Sequence, residues 1–234
     1  MIKKILLVVL VLQISACNEL QQVLENSGSV LSTTQIANGL KEALDNGIEN
    51  QVTTLAKTDG FFKNELVKIT LPEDLQKVDT ALRKIGLSSL ADEGLKVLNR
   101  AAEDAVGEAI PIFKEAILNM TIADAKNILM GNQDAATQYL QHTTADSLRT
   151  KFEPIIKNSF QKVGADRIWN DLITQYNKIP FVNKVNPDLT DYTTDEALKG
   201  VYKMIAQEEL KIRTDIKSRT SDLLQKVFAL QDGK

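Results

Sequence analysis

Along this chain a Ser or Thr repeatedly stands three residues before an Asp, Glu or Gln where a helix could start, as at Ser32/Gln35, Ser89/Asp92, Thr121/Asp124, Thr143/Asp146 and Thr193/Glu196. At that spacing the hydroxyl can accept from the backbone N–H of the third residue, whose own side chain reaches back to the first N–H. Two of the four orphan donors at a helix start are then satisfied. Each pair precedes a stretch with apolar residues at steps of three and four, the period of one helix face. Asp134 and Asp166 stand where simple N-caps would, and Gly131 and Gly164 where helices would stop.

These signals predict helices over about 34–57 (with Gly47 a point where the first could break), 73–86, 89–119, 122–130, 135–142, 144–163, 166–178, 194–215 and 219–230. No run alternates apolar and polar residues for long. Residues 66–71 (LVKITL) make the best strand candidate, but a lone strand has no partner. They read instead as an extended connector ending at Pro72. Residues 178–191, with Pro180 and Pro187, form the longest expected loop. Pro111 falls inside the long helical stretch, where it cannot donate to the carbonyl of Gly107 and its ring crowds that carbonyl, so the helix should kink or break there. The small residues before it, Ala101, Ala102, Ala105, Gly107 and Ala109, let another helix approach closely. The expected fold is therefore all-α: a single bundle of about eight or nine helices, with one long helix kinked near Pro111 and central in the packing. With 43% hydrophobic residues the chain can bury a substantial core.

The N-terminal residues MIKKILLVVLVLQISAC have a different design. Lys3 and Lys4 precede an unbroken apolar run over residues 5–12, and Ser15 and Ala16 precede Cys17. This is the layout of a secretory signal, and the run is short of the ~20 residues that a spanning helix needs. An aliphatic residue, two small ones and a cysteine resemble the lipobox of bacterial lipoproteins. That resemblance implies a diacylglycerol on the Cys17 sulfur, cleavage before Cys17 and acylation of the new amine. Residues 1–16 are thus expected to be a lipoprotein signal peptide, residues 17–33 the lipidated cysteine with a flexible tether, and residues 34–234 an all-helical domain. Several acyl chains give stable attachment to a bilayer, at ~0.8 kcal/mol per buried methylene. Cys17 is the one cysteine of the chain, so no internal disulfide forms.

Without Lys3 and Lys4, the 28 basic residues fall to 26 against 31 acidic ones, a net charge of −5. Such a chain has no electrostatic reason to seek nucleic acid. The segment KIRTDIKSRTSDLLQK mixes Lys211, Arg213, Lys217 and Arg219 with Asp215 and Asp222 and contains no aromatic ring, as a solvated face does.

Five runs of sequence carry a resemblance over about residues 34–230. They are LNRAAEDA at 98–105, MTIADAKNILMGNQDAATQYL at 120–140, FEPIIKNSF at 152–160, ALKGVYKMIAQEELKIR at 197–213 and SRTSDLLQKVF at 218–228. Together they resemble an uncharacterised family of bacterial envelope proteins that carries only a domain-of-unknown-function label. The resemblance implies one all-helical domain on a lipoprotein or periplasmic protein. It implies no activity and no functional residues.

Chemistry is sparse. His142 is the one histidine, at an expected helix end where solvation is its natural state. With Cys17 lipidated, a His/Cys zinc site would have His142 as its one ligand in the mature domain, too few to hold the metal. A serine hydrolase would have to rely on His142 alone, with no elbow motif nearby. No Gly-rich loop cradles a phosphate, and no cofactor is indicated. Asp124, Asp134 and Glu103 are the acids available for a Ca or Mg site, but the first two are already expected as caps, so no metal is assigned. Thr137 and Tyr139 lie on a short segment between two expected caps, where binding groups often sit; the alternative is that Tyr139 belongs to the core with Phe152 and Trp169.

Polar residues that interrupt apolar stripes remain. Along the helix from Thr194 the stripe runs Leu198, Val201, Tyr202, Ile205 and Ile212, with Glu208 and Glu209 between the last two. One of those glutamates should lie near the buried face, and a buried carboxylate is costly unless paired. Arg213 is four or five residues on. Arg100 has Glu103 and Asp104 at three and four residues, with Asn99 beside it. Two readings follow for Asn99, Arg100, Glu103, Glu208, Glu209 and Arg213. They form internal salt bridges that fix helix register, or they line a polar pocket.

The expected function is a membrane-anchored envelope lipoprotein, a non-catalytic helical module that binds a partner protein or a small ligand. The alternatives are a hydrolase-like enzyme using Glu103 or Glu208 as base beside an Arg, and a structural spacer. Asn18, where an Asp would favour inner-membrane retention, points to the outer membrane and a periplasm-facing domain.

Overall fold

The computed structural model describes residues 31–84, 88–164 and 188–232, and, between the last two stretches, residues 167, 169, 170, 173, 174, 177, 178 and 184. The expected signal peptide, Cys17, most of the expected tether, the expected Asp166 cap and much of the expected 166–178 helix and 178–191 loop lie outside the described residues. Within them the chain is all-α and contains no strand. Its helices are α1 (Thr33–Leu55), α2 (Glu73–Lys84), α3 (Ser88–Val106), α4 (Ala109–Asn119), α5 (Ile122–Met130), α6 (Ala135–Val163), α7 (Thr190–Thr214) and α8 (Asp222–Phe228), with a 3₁₀ turn at Ile216–Ser218. None of them is long and apolar enough to cross a membrane.

Two of the sequence caps form as reciprocal boxes. At the start of α1, Ser32 Oγ accepts from the Gln35 N–H while Gln35 Oε1 accepts from the Ser32 N–H. At the start of α5, Thr121 and Asp124 do the same. Gly164 closes α6 in the left-handed conformation, at φ 65°.

Other expected boundaries move. Residues 135–142 and 144–163 are one continuous helix, α6. The Thr143 hydroxyl does not cap; it donates backward to the carbonyls of Tyr139 and Leu140, at 2.9 and 3.3 Å. Thr193 lies one turn inside α7, which begins at Thr190, whose N–H is accepted by Asp188. Ser89 is likewise inside its helix, and Asp92 accepts from Arg83. Asp134 precedes α6 but takes a bond from the Gln138 side chain in place of a backbone cap. The α1 helix runs through Gly47 without a break. The last helix starts at Asp222, capped by Ser221 Oγ on the Leu224 N–H, and not at Arg219.

The kinked 89–119 helix is instead two helices. α3 ends at Val106 and α4 begins at Ala109, with Gly107 and Glu108 between. Pro111 therefore falls in the first turn of α4, where the missing N–H has no intrahelical acceptor to lose. The chain breaks just where proline would have left the Gly107 carbonyl unpaired.

The segment around α3 is central: Ala101, Ala102, Ala105, Val106 and Ala109 are all buried. α3 packs on α6 and α7, and α1 on α4, α5, α7 and α8. Phe61, Phe113 and Phe152 are fully buried anchors. Phe61 seats against Gly200 of α7, where a Cβ would stand 2.6 Å from its ring. Only glycine permits that approach.

Candidate functional site

The six polar residues singled out in the sequence separate into two clusters and an outlier. The first cluster is built on α3 and serves the irregular segment 56–72. Glu103, 3% exposed, receives backbone N–H groups from Asp59, Phe61 and Phe62 at 3.0–3.2 Å. Arg100 bonds both Glu103 and Asp59, and Lys63 pairs with Asp59 at 2.8 Å. Hydrogen bonds from Lys63 and Arg100 hold the Asp59 carboxyl below the usual aspartate value. Asp59 itself takes a positive φ of 70°, a turn conformation uncommon for a residue with a side chain.

Asn99 works on the extended connector. Its Oδ1 accepts from the Ile69 N–H at 2.8 Å, and its Nδ2 donates to the Ile69 carbonyl at 2.9 Å and to Leu95 O at 2.8 Å. A side-chain amide thus stands in for the missing neighbour strand of residues 66–71. It satisfies both backbone groups of the buried Ile69.

The second cluster lies at the junction of α5, α6 and α7. Of the two adjacent glutamates, Glu209 is the one on the buried face of α7. Its carboxylate accepts from the Ala136 and Thr137 N–H groups at the N-terminus of α6, both at 2.9 Å, and from Thr137 Oγ1 at 2.8 Å. Arg213, one turn on, clasps Glu209 through Nε and Nη2 at 3.0 and 2.7 Å. Its remaining N–H groups go to the Ile128 and Leu129 carbonyls at the C-terminus of α5 and to Gln231. An anion sits at a helix N-terminus and a cation at a helix C-terminus, each where the helix dipole favours it. Arg219 extends the arrangement. It donates to the Ile212 and Arg213 carbonyls and forms a bidentate pair with Asp232.

Glu208 joins neither cluster. It is half-buried, accepts from Gln51 at 2.9 Å and lies 3.3 Å from Lys211. It borders a narrow cleft of about 20 Å³ between α1, α6, α7 and α8, which Glu209 and Arg213 also line, room for about one water. Among the described residues no hydrogen bond or ion pair links the Arg100–Glu103 cluster to the Glu209–Arg213 cluster; of the six residues, Glu208, Glu209 and Arg213 line one cleft, and Asn99, Arg100 and Glu103 are not among its lining. No group of three or more acidic, Cys or His side chains is placed to hold a metal among the described residues. His142 is exposed in the middle of α6.

A wider cleft of about 240 Å³ opens between α4 and α6. Of its lining, Tyr139 drew attention in the sequence; Glu115, Asn119 and Ser147 did not. The available signal was a spoiled stripe. On α4, Ile112, Glu115, Ala116 and Asn119 occupy one face, and half of them are polar.

The protein so defined is an all-helical bundle in which buried charges clamp helix ends and a loop. The chain belongs to the family described as protein of unknown function (DUF4197), whose model matches residues 30–229. No curated protein and no solved structure matches it.

Proposed function

We propose that this protein is a lipid-anchored, non-catalytic binding module of the bacterial cell envelope, held to the outer membrane by acylated Cys17 and facing the periplasm. The observation that carries the non-catalytic half is the engagement of Glu103, one of the two candidate bases, and of its counterpart Glu209; Glu208, the other candidate base, has only the Gln51 and Lys211 side chains as partners. Glu103 receives three backbone N–H groups and Arg100, and Glu209 receives two backbone N–H groups, a hydroxyl and Arg213. A carboxylate so saturated has no lone pair turned toward a substrate, as a general base requires. The anchoring half rests on the signal-like leader and the ISAC sequence.

Two measurements test the reading. Palmitate labelling of cells expressing the full chain is expected to disappear in Cys17→Ala; persistent labelling would overturn the anchor. Native mass spectrometry of the full chain, purified from its own envelope, is expected to show a discrete extra mass that is lost on denaturation. A bare mass would argue against a bound small ligand.

A further inference from the structure

The cleft between α4 and α6 differs from both buried clusters. Four of its polar side chains, Glu115, Asn119, Tyr139 and Ser147, line open space without partners of their own, while Thr143 and Thr144 bond within the protein. Glu115 and Asn119 are one turn apart on α4; Tyr139, Thr143 and Ser147 follow at four-residue steps on α6. Two helix faces thus bring their polar groups to the same concavity of about 240 Å³. Among the described residues, no hydrogen bond or ion pair engages the side chains of Glu115, Asn119, Tyr139 or Ser147. The Thr143 hydroxyl directs its hydrogen to the helix backbone and keeps its lone pairs for an outside donor.

The chemistry of these groups restricts what fits. Glu115 only accepts, Asn119 both donates and accepts, and Ser147 and Tyr139 can do either. Burial, with the Asp124 carboxylate as the second cause, pushes the Tyr139 phenol up, so it remains a donor. Such a set matches a ligand with donors and acceptors on adjacent atoms, as vicinal hydroxyls are. Ala116, Ile112 and the Tyr139 ring supply apolar surface for the C–H face of a ring. The volume lies below the ~300–1,000 Å³ of pockets for drug-sized molecules, which limits the occupant to about one ring. Glu115 is the one ionised side chain among the described residues lining the cleft. An amine is favoured there and a carboxylate disfavoured.

We propose that the α4–α6 cleft binds a single polyhydroxylated ring, a neutral pyranose or an amino sugar, with Glu115 and Asn119 as the principal hydrogen-bonding pair. The proposal rests on the binding-module reading above and gives that reading a site and a ligand class.

The test is saturation-transfer NMR on the full chain in a non-glycosidic detergent, with glucosamine, glucose and glucuronate as probes. Glucosamine and glucose are expected to show transfer, with glucuronate about tenfold weaker or absent. Glu115→Gln is expected to erase the preference for the amine. Ser147→Tyr, at an exposed position on the cleft wall, is expected to abolish transfer while leaving the helical circular dichroism unchanged. A β-1,4-linked glucosamine trimer separates the two sources of such a ring. Tighter binding of the trimer assigns the site to the end of a polysaccharide; equal or weaker binding assigns it to the free sugar. Absence of transfer from all three probes, or transfer undiminished in Ser147→Tyr, would overturn the proposal. If a ligand mass then persisted in native mass spectrometry of Ser147→Tyr, the binding module would stand and the cleft would fall. A bare mass together with no transfer would overturn both.

Discussion

The pair Glu209–Arg213 shows how two buried charges can be tolerated in an apolar bundle. Each is under a tenth exposed, and each hydrogen-bonding position of the guanidinium is filled. Desolvating two ions costs several kcal/mol each, and their mutual attraction offsets this only with such complete bonding. Removing one partner leaves the other buried and uncompensated. Glu209→Ala is therefore expected to destabilise the fold by about 3–5 kcal/mol, read as a shift in the urea unfolding midpoint. The loss has two physical parts: an unpaired Arg213, and two orphaned N–H groups at the start of α6. Glu208, one position earlier, keeps solvent access and side-chain partners only. Its alanine variant is expected to cost under about 1 kcal/mol, as exposed pairs do. A difference of less than about 1 kcal/mol between the two variants would contradict the clamp.

At the scale of the element, a hydroxyl three residues before an acid has two uses. Thr121 bonds forward, to the Asp124 N–H, and starts α5; Thr143 bonds backward, to Tyr139 O, and sits within α6. The local sequences look alike, and the neighbouring helices decide between them. The residues over 135–163 bury Ala136, Leu140, Leu148, Phe152 and Ile156 along one continuous face against α3 and α7. A break at Thr143 would expose part of that face. Thr121→Ala is expected to lower stability by about 1 kcal/mol, the usual value of an N-cap. Thr143→Ala is expected to leave stability within ~0.5 kcal/mol, since back-bonding gives a helix nothing it lacks. Thermal unfolding of the two variants side by side checks the distinction, and equal losses would refute it.

For the whole molecule, several aspartates are tied to structure in their ionised form. Asp59 lies below its usual 3.8 through Lys63 and Arg100, Asp124 through the Thr121 hydroxyl and N–H, and Asp232 through Arg219. A carboxyl with a depressed folded value contributes stability that is fully present above its unfolded value. That contribution is lost as pH falls through the folded value. The melting temperature is therefore expected to be level with respect to these groups at neutral pH and to fall as pH drops below about 4. Asp59→Asn and Asp232→Asn are each expected to flatten that fall. A melting curve unchanged down to pH 2.5 would refute the assignment.

The all-α class was legible because its signals are local. Ser32/Gln35, Thr121/Asp124 and Gly164 act within one turn of chain, and the apolar spacing of α1 and α7 needs no partner to be read. Proline chemistry located an interruption near residue 111, though not its form. That the interruption is a full break over Gly107 and Glu108, and that residues 135–163 are a single helix, depended on what packs beside them. The polar residues were visible as anomalies in apolar stripes, but their assignments were not. Glu209 meets Ala136 across 73 positions, and Glu103 meets Phe61 across 42. Asn99 replaces a strand neighbour that no sequence pattern announces. The α4–α6 cleft exists only because two helices from different parts of the chain turn half-polar faces toward each other. Sequence by itself determined where backbone groups could be satisfied nearby. Tertiary structure alone decided which buried charge met which helix end, because such pairings depend on distance in space and not on spacing along the chain.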